Sequence, residues 1–204
     1  MIFKPASLRP MFGRILSIVM AIICGAGIVG FFVNGDWMGL VRYGWILLLI
    51  VATTFAMFWF PRIDIEEHEI TVKNVLSTVH VPWPAIERID TKYALTLYTP
   101  KGKVTAWASP APNRYATTRM TRGDVSALSE SAYGPGRSVR PGDSLASESG
   151  AAAQIIRSHW ERLRDDGLLD NPKIDENAFR RDVHWTTIGV IAVLLLATVL
   201  GLVL

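Results

Sequence analysis

Cysteine is nearly absent from this 204-residue chain. Cys24 stands alone inside an apolar run, so no intrachain disulfide and no cysteine-based zinc site can form. Catalytic signatures are missing too. There is no G-x-S-x-G, no H-E-x-x-H and no aspartate-rich metal box. The four histidines, His68, His80, His159 and His184, have no ligand-like spacing such as i, i+4 and read as ordinary surface or half-buried side chains. Charge of either sign is scarce in three long stretches, and none of them holds an Asp, Glu, Lys or His that would mark an ion path. An excess of basic charge is lacking where a nucleic-acid surface would need it. Seventeen basic and seventeen acidic residues balance between Pro61 and Val183, and the net charge of +3 comes from Lys4, Arg9, Arg14 and Arg42 against Asp36.

What is abundant is hydrophobic sequence, half of all residues. Residues 15–33 carry no charge and nearly span a hydrocarbon core. A signal peptide competes with this reading, but the run is long, lacks an A-x-A site and is soon followed by another. Residues 41–60 form the second run, with Arg42 at its first turn and Tyr43, Trp45, Trp59 and Phe60 near its ends, as an interfacial aromatic belt prefers. Residues 185–204 form the third. Basic residues flank the first run on its N-terminal side, follow the second at Arg62 and precede the third at Arg180 and Arg181. The positive-inside rule therefore puts the N-terminus and the region between the second and third runs in the cytoplasm, with the C-terminus outside. GAGIVG at 25–30 matches a dinucleotide-binding spacing, but it lies mid-membrane with no strand before it. Ala21/Gly25 and Ala26/Gly30 read instead as helix-packing pairs.

Between the membrane runs, hydrophobic residues alternate over short stretches. Ile63 and Ile65, Ile70 and Val72, Leu95 and Leu97, and Val104, Ala106 and Ala108 each keep a period of two. Turn residues interrupt them at 66–69, Lys73-Asn74, Val81-Pro82-Trp83-Pro84 and Pro100-Lys101-Gly102-Lys103. This predicts six half-buried antiparallel strands, with room for a seventh further on. Residues 150–166 predict one amphipathic helix, with Ile155, Ile156, His159, Trp160 and Leu163 on one face. Residues 109–149, rich in Ser, Gly and Pro, predict a flexible loop with one short helix near 124–131. Trp83 and Trp160 are expected in the core with their indole N–H groups near carbonyls.

The run EITVKNVLSTVHVPWPAIERID resembles the small bacterial pleckstrin-homology-like (PH-like) domains of multi-pass membrane proteins, especially actinobacterial ones. Val72-Lys73-Asn74, Val81-Pro82-Trp83, Ile86 and Ile89 carry the resemblance. It implies an α+β protein: a PH-like antiparallel barrel or sandwich capped by a C-terminal helix, beside three transmembrane helices. The expected organisation is a transmembrane hairpin over 1–61, a cytoplasmic PH-like domain over 62–168, and a connector with a third transmembrane helix over 169–204. Eukaryotic relatives hold inositol phosphates on a basic first hairpin, but here that hairpin is Glu66-Glu67-His68-Glu69, which repels phosphate. Arg88, Lys92, Tyr98, Lys101, Lys103 and Trp107 are the candidate interaction surface, for a protein partner. The expectation is a non-catalytic interaction or scaffold protein of the bacterial plasma membrane, without cofactor, metal or nucleic-acid partner. The alternatives are an accessory subunit of a respiratory or transport assembly and, last, a lipid-acting enzyme using the histidines and the Glu66–Glu69 cluster.

Overall fold

The computed structural model describes residues 5–112, 128–133, 141–145, 147–169 and 179–203. They divide into two compact units.

One unit is helical. Helix α1 spans Met11–Val33, α2 Trp37–Phe58, and a last helix, α4, Trp185–Val203. All three are long and apolar enough to cross a membrane. Gly35, with φ of 67°, makes the left-handed turn between α1 and α2. Asp36 then caps α2, its Oδ1 accepting from the Gly39 amide at 2.8 Å. Hydroxyls within the helices are satisfied locally: Ser17 donates to the Gly13 carbonyl, Thr54 to Ile50 and Thr198 to Leu194.

On α1, small residues other than the expected pairs approach α2. Gly13, Ser17 and Cys24 are its buried residues. A Cβ at Gly13 would lie 3.0 Å from the Phe58 carbonyl oxygen, and one at Gly27 would lie 3.1 Å from Leu47. At Gly25 and Gly30 it would meet nothing within 4 Å. Close approach to α2 is therefore made at Gly13 and Gly27, while Gly25 and Gly30 have open space around them. Gly201 does the same for α4, where a Cβ would sit 2.9 Å from the Val41 carbonyl oxygen.

The other unit is built on strands. A five-stranded sheet runs in the order β1-β2-β3-β4-β8, antiparallel from β1 through β4, with β1 Ala6–Leu8, β2 Arg62–Ile65, β3 Glu69–Lys73, β4 Ser77–Pro82 and β8 Arg180–Val183. A three-stranded sheet holds β5 Arg88–Asp90, β6 Ala94–Thr99 and β7 Gly102–Pro110. The six expected strands are all present. The N-terminal flank and the segment before α4 add β1 and β8.

The alternating residues meet in one core. Ile63, Ile65, Ile70, Val72, Val81, Leu95 and Leu97 are fully buried, each contributing on the order of 2 kcal/mol by leaving water. Helix α3, Glu148–Asp165, places Ala152, Ala153 and Ile156 in the same core. Its N-cap Ser147 accepts from the Gly150 amide at 2.9 Å. Trp83 is buried as expected, whereas Trp160 is half-buried against the edge of the core. Trp83 Nε1 donates to the Glu66 carbonyl at 3.0 Å and Trp160 Nε1 to Ile86 at 3.2 Å.

The described parts of the expected loop 109–149 make hydrogen bonds to the rest of this unit. Ser109 still belongs to β7. The Ser129 amide donates to Gln154 Oε1 of α3 at 2.9 Å. Asp143, 2 % exposed, accepts from Arg157 Nη1 and from the Thr91 hydroxyl, both at 2.6 Å. Hydrogen bonds and a buried ion pair thus replace the large apolar residues whose absence suggested disorder. Of the short helix expected near 124–131, residues 124–127 lie outside the described residues, and residues 130–132 form a single 3₁₀ turn.

Candidate functional site

The three-stranded sheet carries most of the expected interaction surface. Antiparallel register sets Arg88 opposite Tyr98 and Tyr98 opposite Lys103. One row across the sheet is therefore cation, aromatic, cation. The Arg88 guanidinium lies over the Tyr98 ring at 4.0 Å, within cation–π range. Leu97 and Val104, on the opposite face of the same strands, are buried in the core, which fixes the row outward because side chains alternate along a strand.

Two residues further along β6 and β7, Thr96 pairs with Thr105 and Asp90 pairs with Thr96. Trp107 follows on the same face as Lys103 and Thr105, 54 % exposed, roughly 13 Å from Lys103 at the usual strand rise. Its position is pinned from behind. The Asn74 carboxamide accepts from the Trp107 amide at 2.9 Å and donates to the Thr105 carbonyl at 2.8 Å. The β3–β4 turn thereby hydrogen-bonds to β7 as a short strand would.

Lys92 and Lys101 stand apart from the row. Lys92 is in the β5–β6 turn, its ammonium 5.1 Å from the ring of Tyr93, which is 80 % exposed. Lys101 is in the β6–β7 turn, 5.6 Å from the Phe179 ring. The structure therefore gathers Arg88, Tyr98 and Lys103, sets Trp107 along the same face, and leaves Lys92 and Lys101 at opposite ends. Tyr93 is exposed in the same turn as Lys92.

A cleft of about 110 Å³ opens beside β5 and is lined by Glu87, Arg88, Ile89, Ser131, Arg157 and Trp160. Helix α3 closes the outer edge of β5 here. Arg157 Nη2 donates to the Ile89 carbonyl at 3.2 Å, and Trp160 takes Ile86. Those carbonyls are then unavailable to an added strand.

The four histidines lie on separate elements. His68 lies in the β2–β3 turn, His80 on β4 and His184 just before α4. His159 is buried on α3, with its ring centroid 4.6 Å from that of Trp83. Burial, reinforced by the Arg162 charge, holds its pKa below the ordinary histidine value against the opposing pull of Glu67. Burial likewise raises the Glu148 carboxyl. Among the described residues no group of three or more His, Cys, Asp or Glu could hold a metal ion.

Residues 60–139 match the family model of the bacterial PH domain. The chain carries a bacterial PH domain. The match begins at the end of α2 and stops before α3, so it covers about two-fifths of the chain. Helix α3 joins the PH domain through the shared core rather than through the match. The molecule is thus a bacterial PH domain in one chain with three helices suited to a membrane. Neither a curated protein nor a solved structure matches it.

Proposed function

We propose that the chain is a non-catalytic, membrane-anchored interaction protein of the bacterial plasma membrane, which offers the outer face of the β5-β6-β7 sheet to a protein partner. The N-terminus and the PH domain are cytoplasmic and the C-terminus is outside, as the basic flanks favour. The observation that supports the reading best is the Arg88–Tyr98–Lys103 row continuing to an exposed Trp107. Arg, Tyr and Trp are the side chains that most often carry interface energy. Asp90 lies on the same face and moderates its charge, which suits a mixed protein surface better than a phosphate cradle. Inositol lipid is a poor fit for the acidic first hairpin. Cross-linking of intact cells, extraction in mild detergent and mass spectrometry test the proposal. A reproducible protein partner, lost on charge reversal of Arg88 and Lys103, is expected. Recovery of the chain alone, or with lipid alone, would refute it.

An accessory subunit of a larger membrane assembly is the second reading. It is favoured by Gly25 and Gly30, which have open space around them on α1 and so leave a small-residue face for another helix. A native gel in mild detergent separates the two: migration with a large complex supports the second reading, and migration as a monomer removes it.

A further inference from the structure

We infer that the helical unit holds one anionic phospholipid at the end where α1 begins and α2 finishes, with its phosphate on Arg14 and one acyl chain between α2 and α4. Arg14 stands one turn into α1, about 4.5 Å along the axis from Met11. An apolar helix is a costly place for a charge unless something pairs with it. Among the described residues no carboxylate does. Arg62, Arg157, Arg164 and Arg180 each have one, between 2.6 and 3.1 Å away. Arg14 Nε is buried and has no hydrogen-bond partner among the described residues. The guanidinium lies instead over the Trp59 ring, 5.2 Å from its centroid. Close packing makes this contact. Gly13, whose Cβ would lie 3.0 Å from the Phe58 carbonyl oxygen, lets the first turn of α1 approach the last turn of α2. A half-buried arginine near a helix end turns its tip towards the phosphate layer. Its planar fork of N–H donors matches two oxygens of a phosphodiester.

The aromatic ring beneath Arg14 leads to an apolar groove. Trp59 contacts Phe55, one turn earlier in the chain, with ring centroids 5.4 Å apart. Phe55 lines a groove of about 270 Å³ together with Ala56 and Phe60, and the first turns of α4 supply the other wall through Thr186, Thr187 and Val190. Both walls belong to helices long and apolar enough to cross a membrane. In a bilayer the surrounding medium is lipid hydrocarbon, so an acyl chain is the occupant that suits the groove. The charge of the site selects the headgroup. Its residues include one cation, Arg14, and no carboxylate. The phosphate therefore finds a partner, while the amine of a zwitterionic headgroup finds none. The site shares no residue with the β5-β6-β7 face, so it stands or falls independently of a protein partner there.

Native mass spectrometry of the full chain tests this, with phosphatidylglycerol or phosphatidylcholine of the same chain length added in a non-ionic detergent. The expected result is one phosphatidylglycerol per chain, bound about tenfold more tightly than phosphatidylcholine. R14Q removes the charge-assisted bonds and should erase that preference. R164Q, an equal loss of charge at an exposed position of α3, should leave it unchanged. V190W, at a position 54 % exposed, fills the groove without disturbing a core and should weaken both lipids about tenfold. Glycerol phosphate, which has the phosphate without the chains, should not displace the lipid. Equal binding of the two lipids by the unaltered chain, a preference that survives R14Q, binding untouched by V190W, or displacement by glycerol phosphate overturns the inference.

Discussion

Removing Asp143 should release a charge that the fold cannot re-solvate. Arg157 is 4 % exposed and its pairing with Asp143 is nearly dry. Asp143 accepts two short hydrogen bonds, from Arg157 and from Thr91, across three separate segments of chain. Among the described residues, D143A would leave the guanidinium with the Ile89 carbonyl as its remaining partner, while Arg157 Nε already has none. Breaking a buried pair from one side costs about 3–5 kcal/mol. At 1.4 kcal/mol per tenfold, the slowest amides of α3 and β6 should lose about two to three and a half powers of ten in protection. Hydrogen exchange in detergent reads this without treating the two units as one unfolding transition. The double variant D143A/R157M removes both charges and should recover much of the loss, because replacing a whole buried pair by apolar groups is often close to neutral. A loss under tenfold in D143A, or single-variant costs that simply add in the double, would refute the reasoning.

Three further outcomes follow from other parts of the structure. His159 has a depressed pKa, so the stability it permits is complete above about pH 6.5 and falls as pH drops towards its folded value; H159F should flatten that acid limb in thermal melts of the detergent-solubilised chain, and an unchanged limb would count against the assignment. N74A removes two hydrogen bonds to β7 and should cost about 1–3 kcal/mol, seen first as faster exchange of the Trp107 amide. G13L should disrupt the α1–α2 hairpin while G25L leaves it intact, because only Gly13 meets Phe58; equal protease resistance of the two would contradict the packing face.

The parts of this fold that could be read from its sequence are those where burial imposes a period. Ile63/Ile65 and Leu95/Leu97 announce their strands because alternate residues must leave water, and the apolar runs announce their helices because hydrocarbon excludes charge. Strands β1 and β8 escaped because neither alternates: Ala-Ser-Leu is too short to show a period, and Arg-Arg-Asp-Val buries nothing. The attachment of 141–145 escaped because an ion pair between residues fourteen apart leaves no local pattern. On α1, two sets of small residues competed. Gly13 and Ser17 also stand four apart, and no sequence rule chose between them and the Gly25 and Gly30 set. The candidate face was half legible. The cations and aromatics were visible, but only strand register shows that Arg88, Tyr98 and Lys103 share a row while Lys92 and Lys101 do not.

The central claim concerns what meets the outer face of the β5-β6-β7 sheet. Placing a photo-cross-linking amino acid at Trp107, at Tyr98 and, as a control, at Asp64 on the other sheet tests it in living cells. The account predicts one reproducible protein adduct from the Trp107 and Tyr98 positions and none from Asp64. Adducts to lipid alone, or the same adducts from all three positions, would contradict it.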